Sequence, residues 1–291
     1  MRFTGLLATL LAFVAQPAWA DDSPRLRSLE QRLAAMAAEN PGEYGIAALD
    51  LASGETISFN GQQAFPMAST MKIAVAAAYL ADVDAGRRTL DDPIAGASAL
   101  KLMDAMIVRS DNRATDLLMA KLGGPSAVDV WLRGHGLNGM RVDRTIAQLL
   151  RDRRDLRDVR DSSTPIAMLG LLRLIDSEGA LTSQSRYLLR DMMRRCATGS
   201  NRIRGILPAG ATVEHKTGTV SGYTGDVGFL TTPNGRRIAV AFFARGGSNR
   251  PAVIATAARA IYDAMETGQP GTAFSSPAAS NSEVWTQTGT R

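Results

Sequence analysis

The sequence is poor in the side chains that most often build catalytic and metal sites. Its 291 residues include 1 cysteine, Cys196, and 2 histidines, His135 and His215. A single cysteine excludes an intrachain disulfide, and we predict that it is a packing residue. A Ser-His-Asp triad would have to use one of the two histidines, and no G-x-S-x-G turn is present to display its serine. The His and Cys spacing fits no zinc site, so we predict neither a metal nor another cofactor.

Lysine is also rare in this chain. Of 33 basic residues only Lys72, Lys101, Lys121 and Lys216 are lysines, and the rest are arginines. Arginine keeps its proton in proteins whereas a buried lysine can lose it, so these positions are where an amine could act as a base. The net charge of +5 is modest, and the basic residues are dispersed without interleaved aromatics. This pattern argues against a nucleic-acid partner.

Long apolar runs are missing after the N-terminal segment, which predicts no membrane span in the rest of the chain. Residues 1–20 combine the charged Arg2, a short apolar stretch and the sequence Ala18-Trp19-Ala20, which is typical of a signal peptide cleaved after Ala20. We therefore expect a bacterial periplasmic or secreted protein with no membrane anchor after cleavage. At the other end, residues 267–291 are rich in Ser, Thr, Pro and Gly, which predicts a disordered tail.

The order of predicted elements places strands at both ends of residues 21–266 and helices between them. The simplest packing is a five-stranded antiparallel sheet built from both chain ends, with helices on both faces and an inserted all-helical lobe, an α/β (α+β) fold. The sheet lobe would comprise residues 21–66 and 211–266, the helical lobe residues 67–210, and a site would lie in the cleft between them. The predicted strands are 44–51, 55–60, 212–217, 225–231 and 236–243, and the predicted helices are 69–80, 100–108, 113–122, 126–134, 164–176, 182–193 and 250–265.

A serine activated by lysine is the alternative to a histidine-dependent nucleophile. Ser69 and Lys72 form an S-x-x-K pattern, and residues i and i+3 share one face of a helix, so the amine could reach Ser69 Oγ. Ser98 and Lys101 match the same pattern. We favour Ser69 because its helix is apolar nearly all round and predicted to be buried, whereas Lys101 can remain in solvent.

Two further motifs follow in the chain, Ser110-Asp111-Asn112 and Lys216-Thr217-Gly218. S-x-x-K, S-D-N and K-T-G occur together in class A β-lactamases and penicillin-binding proteins. The sequence resembles class A β-lactamases from about residue 29 to residue 265, including the segments that flank each motif. The resemblance implies a β-lactamase-like fold and a serine hydrolase that forms an acyl-enzyme.

The same resemblance implies a role for each matched residue. Ser69 would be the nucleophile, Lys72 would hold or accept its proton, and Ser110 would relay a proton to the leaving nitrogen. The backbone N–H groups of Ser69 and Thr219 would form the oxyanion hole. Asp111 is interpreted as a structural cap rather than a catalytic acid. The substrate would be held by Asn112, Lys216, Thr217 and Gly218.

The sequence departs from the family in its Ω-loop, here residues 144–161. In class A enzymes this loop carries a glutamate two residues after an arginine, and that glutamate holds the hydrolytic water. Counting from Arg144 places Ile146 at the glutamate position and Leu150 at a position where the family has asparagine, and no glutamate occurs between Glu55 and Glu178. The charged run 151–161 is interpreted as a solvated, mutually paired stretch. The alternative is that Asp152, Asp155 or Asp158 replaces the glutamate.

We therefore expect a monomeric hydrolase that opens β-lactams or related carboxylate-bearing substrates, with slow deacylation. One alternative is a non-hydrolytic protein that binds or senses β-lactams or peptidoglycan. Another is a D-Ala-D-Ala carboxypeptidase, whose acylation needs no Ω-loop glutamate. By analogy with the family, Arg144 and Asp161 are predicted to pair across the neck of the Ω-loop.

Overall fold

The computed structural model describes residues 24–153 and 155–267. The predicted signal peptide and the segment 268–291 of the predicted tail lie outside the described residues. The helices are α1 Pro24–Glu39, α2 Lys72–Asp84, α3 Ala99–Val108, α4 Asn112–Leu122, α5 Pro125–Gly134, α6 Ile146–Arg151, α7 Pro165–Asp176, α8 Ser183–Arg194 and α9 Arg250–Thr267. The strands are β1 Glu43–Asp50, β2 Thr56–Phe59, β3 Phe65–Pro66, β4 Pro93–Ile94, β5 Ala97–Ser98, β6 Ser162–Ser163, β7 Thr212–Val220, β8 Tyr223–Thr231 and β9 Arg237–Arg245.

The main sheet has five antiparallel strands in the order β2-β1-β9-β8-β7, which confirms the predicted sheet. Strand β1 from the first part of the chain lies beside β9 from the last part, so both ends of the described chain are needed to complete the sheet. Neighbouring strands are paired along most of their length; Lys216 on β7, for example, lies opposite Val227 on β8. Strand β7 forms one edge, and its far end carries the K-T-G motif.

Helices cover both faces of this sheet, as predicted. Helices α1 and α9 pack together on one face, where Leu33, Val240 and Ile261 belong to one buried cluster. Helix α7 packs against β1 and β9 on the other face. Next to it the buried helix α2 occupies the centre of a second, larger cluster. Because α2 is surrounded by protein, its apolar residues need not follow a single stripe, which explains its nearly uniform composition.

Some elements were not predicted from the pattern. Helix α1 buries Leu26, Leu29 and Leu33, a helical spacing, but the prediction began at the hairpin that follows it. Helix α6 has 6 residues, too few for a clear period. Segment 67–210 also contains the short strands β4, β5 and β6. No helix of residues 24–153 and 155–267 is long and apolar enough to cross a membrane.

Candidate active site

Ser69 lies in a 3₁₀ turn, Ala68–Met71, that leads directly into α2. The sequence pattern predicted an α-helix from Ser69, whereas the α-helix begins at Lys72. The hydroxyl of Thr70 donates to the carbonyl of Met67 at 2.8 Å and closes this turn. Ala68 has a φ of 47°, a left-handed conformation that is costly for a residue with a Cβ. The turn therefore presents Ser69 in a constrained geometry, and Ser69 is only partly buried.

Lys72 is buried and points to the S-D-N motif. Its Nζ donates to the carbonyl of Ser110 at 2.7 Å, to Ser110 Oγ at 3.2 Å and to Asn112 Oδ1 at 2.7 Å. Ser69 Oγ makes no hydrogen bond to any described residue, so Lys72 is not bonded to Ser69 in this arrangement. The physical reason is that an ammonium has three N–H donors, and these three acceptors occupy them.

Ser110 joins two lysines from different parts of the chain. Its Oγ accepts from Lys72 at 3.2 Å and from Lys216 at 3.0 Å. A hydroxyl has two lone pairs and one proton, so both lone pairs are occupied and the proton must point to a third group. Ser110 also has a φ of 59°, which places a second strained residue at this site. The arrangement leaves the Ser110 proton available for donation.

The two lysines have lowered pKa values for related reasons. Burial and the nearby Lys216 ammonium lower the pKa of Lys72 to about 7, against the opposing effect of Asp111 and Asp116. Burial lowers the pKa of Lys216 to about 8, although Asp226 and the Cys196 thiolate favour its charged form. Near neutral pH, Lys72 can thus supply a neutral amine while Lys216 keeps its charge.

Gly218 allows β7 to approach the Ser69 turn closely. A Cβ at Gly218 would lie 2.6 Å from the carbonyl oxygen of Met67 and 3.3 Å from Ala68 Cβ, so a larger residue would push the strand away. This close packing places the K-T-G end of β7 against the 3₁₀ turn that carries Ser69.

Arg202 is a candidate binding residue that the sequence analysis did not identify. Its Nη1 donates to the carbonyls of Gly218 and Gly225, at 3.2 and 2.9 Å, and its Nη2 donates to Thr219 Oγ1 at 2.7 Å. Burial lowers the pKa of Arg202, but an arginine stays charged under all working conditions. Arg202 thus holds the end of β7 in place and adds a permanent positive charge within electrostatic range of Lys216. The segment that begins at Arg202 resembles the family's approach to the K-T-G strand, but nothing within that segment marks Arg202 as a binding residue.

The second S-x-x-K match has an ordinary structural role. Ser98 Oγ accepts the backbone N–H of Lys101 at 3.3 Å and caps α3, and Lys101 is exposed. Asp111 is the N-cap of α4 and accepts the N–H of Ala114 at 2.6 Å, which confirms the predicted cap. Both side chains accept backbone N–H groups at helix N-termini, and neither is hydrogen-bonded to Lys72.

The predicted ion pair across the neck of the Ω-loop is confirmed. Arg144 Nε lies 2.6 Å from Asp161 Oδ2, and the Asp161 side chain is 1% exposed. Asp161 Oδ1 also accepts the backbone N–H groups of Asp143 and Arg144, at 2.8 and 3.0 Å. Met67 next to the Ser69 turn donates its N–H to the Asp161 carbonyl at 2.9 Å. Asp161 therefore closes the loop with its carboxylate and joins the loop to the segment before Ser69 with its backbone carbonyl.

Replacing Asp161 by alanine is expected to destabilise the protein by about 3 kcal/mol, because it leaves two backbone donors and part of a buried guanidinium unpaired. Asp161→Asn should cost less, since asparagine tolerates the left-handed φ of 52° and keeps an acceptor. Asp152→Ala is the matched control: Asp152 pairs with the same Arg144 but is 41% exposed, so its loss should cost less than about 1 kcal/mol. Urea unfolding measures all three, and equal effects of Asp161→Ala and Asp152→Ala would contradict this assignment.

The position of the expected glutamate is occupied by an apolar, buried side chain. Ile146 is 4% exposed and is the first residue of α6. Its backbone N–H and that of Ala147 donate to the two carboxylate oxygens of Asp116, at 2.7 and 2.9 Å. This loop helix is therefore held by Asp116, and Ile146 can neither bind nor activate a water.

The three aspartates considered as replacements differ in their environments. Asp152 pairs with Arg144, and Asp158 pairs with both Arg144 and Arg160. The hydrogen bond from Arg160 outweighs the effect of burial and lowers the pKa of Asp158 to about 2, which makes it a weak base. Asp155 has no ion pair within the described ranges and lines a cavity of about 40 Å³ that also reaches Ala68. Asp155 is the remaining candidate among the three.

Comparison with known proteins gives a consistent result. A model of the β-lactamase enzyme family matches residues 28–265. The carbapenem-hydrolysing β-lactamase KPC of Klebsiella oxytoca is 30% identical over 249 residues, which cover 77% of this chain and 84% of that protein. The structure of an ancestral class A β-lactamase, GNCA, is similar with a TM-score of 0.78 and 35% identity, covering 81% of this chain and 99% of the other. A mutant of the chromosome-encoded β-lactamase of Vibrio parahaemolyticus gives a TM-score of 0.74 at 25% identity, with coverage of 80% and 98%.

Proposed function

The chain belongs to the class A β-lactamase enzyme family, whose members are serine hydrolases, and we propose that it opens β-lactam amides through an acyl-enzyme on Ser69 that deacylates slowly. The observation that carries this proposal is the continuous set of hydrogen bonds from Lys72 through Ser110 to Lys216 beside the Ser69 turn. Related amides or esters that bear a carboxylate are included in the proposed substrate class.

Substrate binding is proposed to use the positive end of β7 and the S-D-N motif. The Lys216 ammonium and the Thr217 hydroxyl hold the substrate carboxylate, with the fixed charge of Arg202 behind them. Asn112 Oδ1 accepts from Lys72, so its Nδ2 hydrogens are free to donate to a carbonyl of the substrate side chain. Gly218 contributes by its small size, which keeps β7 close to Ser69.

Acylation is proposed to begin with neutral Lys72. A neutral amine has only two N–H groups, so it releases one of its three acceptors and gains a lone pair that can take the Ser69 proton. Ser69 Oγ bonds to the lactam carbonyl carbon, and the N–H groups of Ser69 and Thr219 stabilise the developing oxyanion. The carbon–nitrogen bond breaks as Ser110 donates its proton to the leaving nitrogen. Lys72 or Lys216 then returns a proton to Ser110.

Deacylation is proposed to be slow because no carboxylate occupies the position of Ile146. Stopped-flow mixing with a chromogenic cephalosporin is expected to give a burst of about one product equivalent per enzyme and then a slow phase, since general-base catalysis contributes about 10²–10⁴-fold. Intact-protein mass spectrometry should show an adduct that accumulates and then declines. Fast linear turnover without a burst would contradict slow deacylation and would favour Asp155 as a replacement base.

The adduct measurement and an assay of peptide cleavage separate the alternative functions. A persistent adduct without turnover would favour a β-lactam-binding or sensing protein. Release of D-alanine from a D-Ala-D-Ala peptide at a rate above β-lactam turnover would favour a carboxypeptidase.

Residues 21–266 are proposed to form the mature hydrolase domain, exported by a signal peptide cleaved after Ala20 and acting as a monomer. N-terminal sequencing of the protein recovered from the periplasm or medium tests the cleavage site. A mature chain that begins before residue 21 would contradict it.

A further inference from the structure

Cys196 lies behind the proposed carboxylate-binding residues. It was predicted to be a packing residue, and it is indeed buried, 3% exposed, in the loop that follows the end of α8 at Arg194. Its Sγ is 3.4 Å from Thr198 Oγ1, and Thr198 Oγ1 is 2.5 Å from Thr217 Oγ1. Three side chains thus form a hydrogen-bonded chain that ends on a proposed substrate-binding hydroxyl.

A second pair of residues faces the thiol from the sheet. His215 and Asp226 are both fully buried on β7 and β8, with His215 Nδ1 2.8 Å from Asp226 Oδ1. His215 Nε2 is buried and has no hydrogen bond of ordinary geometry within the described part of the chain. Burial lowers the pKa of His215, but Asp226 outweighs this effect and raises it to about 9. Burial likewise raises the pKa of Cys196, whereas the neighbouring imidazolium outweighs it and lowers the pKa to about 6.

The direction of the hydrogen bonds depends on the protonation of Cys196. A carboxylate only accepts hydrogen bonds, so Thr217 must donate its single O–H to the substrate carboxylate. Thr198 must then donate to Thr217 Oγ1, and the Cys196 S–H can donate to Thr198 Oγ1. The thiol also has the Thr198 carbonyl as an acceptor, in a longer contact of 3.9 Å. The thiol form is therefore compatible with a Thr217 hydroxyl that donates to the substrate.

The thiolate favours the opposite direction. Because a thiolate can only accept, Thr198 donates to Sγ and its oxygen becomes an acceptor for Thr217. The Thr217 proton then points inward, and its lone pairs face the substrate carboxylate.

We propose that Cys196 is a positioning residue for Thr217, whose hydroxyl it directs to the substrate carboxylate when protonated and turns away from it when ionised. This inference rests on the proposed function only in assigning the carboxylate to Lys216 and Thr217. The charged groups that face the thiol are Lys216 and His215 on β7, and Asp226 acts through His215. From the loop before β7, Arg202 lies within electrostatic range and Arg204 donates to the Cys196 carbonyl at 3.4 Å.

The first test requires no catalytic activity. Cys196 is the only cysteine, so the ultraviolet absorbance of the thiolate reports its ionisation alone. Thr198→Val removes the proposed donor to the thiolate and is expected to raise the pKa of Cys196. His215→Asn should raise it further, because it removes the imidazolium. An unchanged pKa in Thr198→Val would overturn the proposed hydrogen-bond chain.

The second test measures substrate binding separately from acylation. The concentration dependence of the burst rate gives the dissociation constant of the non-covalent complex and the limiting acylation rate. In the wild type, this dissociation constant is expected to rise about tenfold between about pH 6 and pH 8, a change typical of losing one hydrogen bond to a charged group.

Cys196→Ser is the matched variant, since a serine hydroxyl of similar size stays protonated over this range. It is expected to lose the part of the rise that Cys196 causes, while the part caused by Lys216 remains and moves to lower pH, because no thiolate then favours the Lys216 ammonium. A rise of equal size in the wild type and in Cys196→Ser would overturn the inference and leave Cys196 as a packing residue. If no penicillin or cephalosporin acylates the wild type at any pH, the proposed function fails, and the thiolate titration alone decides the inference.

Discussion

Replacing Ser69 by alanine is expected to abolish the covalent adduct and to lower β-lactam turnover by about 10⁶-fold, the loss that follows removal of a serine nucleophile in other hydrolases. The reason is that Ser69 is the one serine of the 3₁₀ turn Ala68–Met71, which packs against β7, whereas Ser110 is held by hydrogen bonds from both Lys72 and Lys216. Intact-protein mass spectrometry measures the adduct, and peptide sequencing by tandem mass spectrometry should locate it on the peptide that contains Ser69.

Ser98→Ala is the matched control because it removes the serine of the second S-x-x-K match. That variant should keep the adduct and lose only the α3 cap, which costs about 1 kcal/mol. An adduct on Ser98, or an adduct that persists in Ser69→Ala, would contradict the assignment of the nucleophile.

The contrast between the two matches shows what a short motif can predict. Ser69 and Ser98 have the same local pattern, and only the predicted burial of the following helix separated them. The structure places Lys72 in the protein interior and Lys101 in solvent, so the distinction based on burial was sound. The sheet was predictable for a similar reason, since its strands are apolar runs bounded by turn residues.

Other parts of the site could not be predicted because they depend on tertiary contacts. The hydrogen-bond partners of Lys72 are Ser110 and Asn112, which lie about 40 residues further along the chain and carry no pattern that would link them to Lys72. Arg202 and Thr198 carry no recognisable local pattern; they matter only because the loop before β7 folds back against that strand. The 3₁₀ turn at Ser69 was missed because its composition is that of an α-helix, whereas contacts with Asp161 and β7 determine its geometry.

The Ω-loop combines a predictable and an unpredictable part. The pairing of Arg144 with Asp161 followed from the resemblance and is present. Asp116 accepts two backbone N–H groups at the start of α6. This contact could not be predicted from the sequence, because Asp116 lies 30 residues away from Ile146. This contact bears on the proposed function, since it fixes the residue that the sequence comparison with the family predicts at the glutamate position.

Introducing a glutamate at this position is expected to accelerate deacylation. The backbone N–H of Ile146 donates to Asp116, whose carboxylate lies within electrostatic range of Lys72, so a glutamate at residue 146 would lie near the residues around Lys72. The N-terminal end of α6 and the nearby Lys72 would favour its ionised form, against the repulsion of Asp116 and the effect of burial. Ile146→Glu should speed the slow phase of cephalosporin hydrolysis by about 10²-fold or more, up to about 10⁴-fold, the contribution of a general base.

Two variants separate a catalytic effect from a change in charge or polarity. Gln148→Glu places the same carboxylate on an exposed position of α6, where it can still accept the N–H of Thr145, and it should leave the slow phase unchanged. Ile146→Gln introduces a polar group that can hold a water but is not a base, so it should accelerate deacylation far less than glutamate. Thermal unfolding of each variant establishes that the loop remains folded. If folded Ile146→Glu shows the wild-type slow phase, the hydrolytic water must lie elsewhere. Asp155→Asn would then slow deacylation, because Asp155 lines the cavity beside Ala68 and, unlike Asp152 and Asp158, has no ion pair within the described ranges.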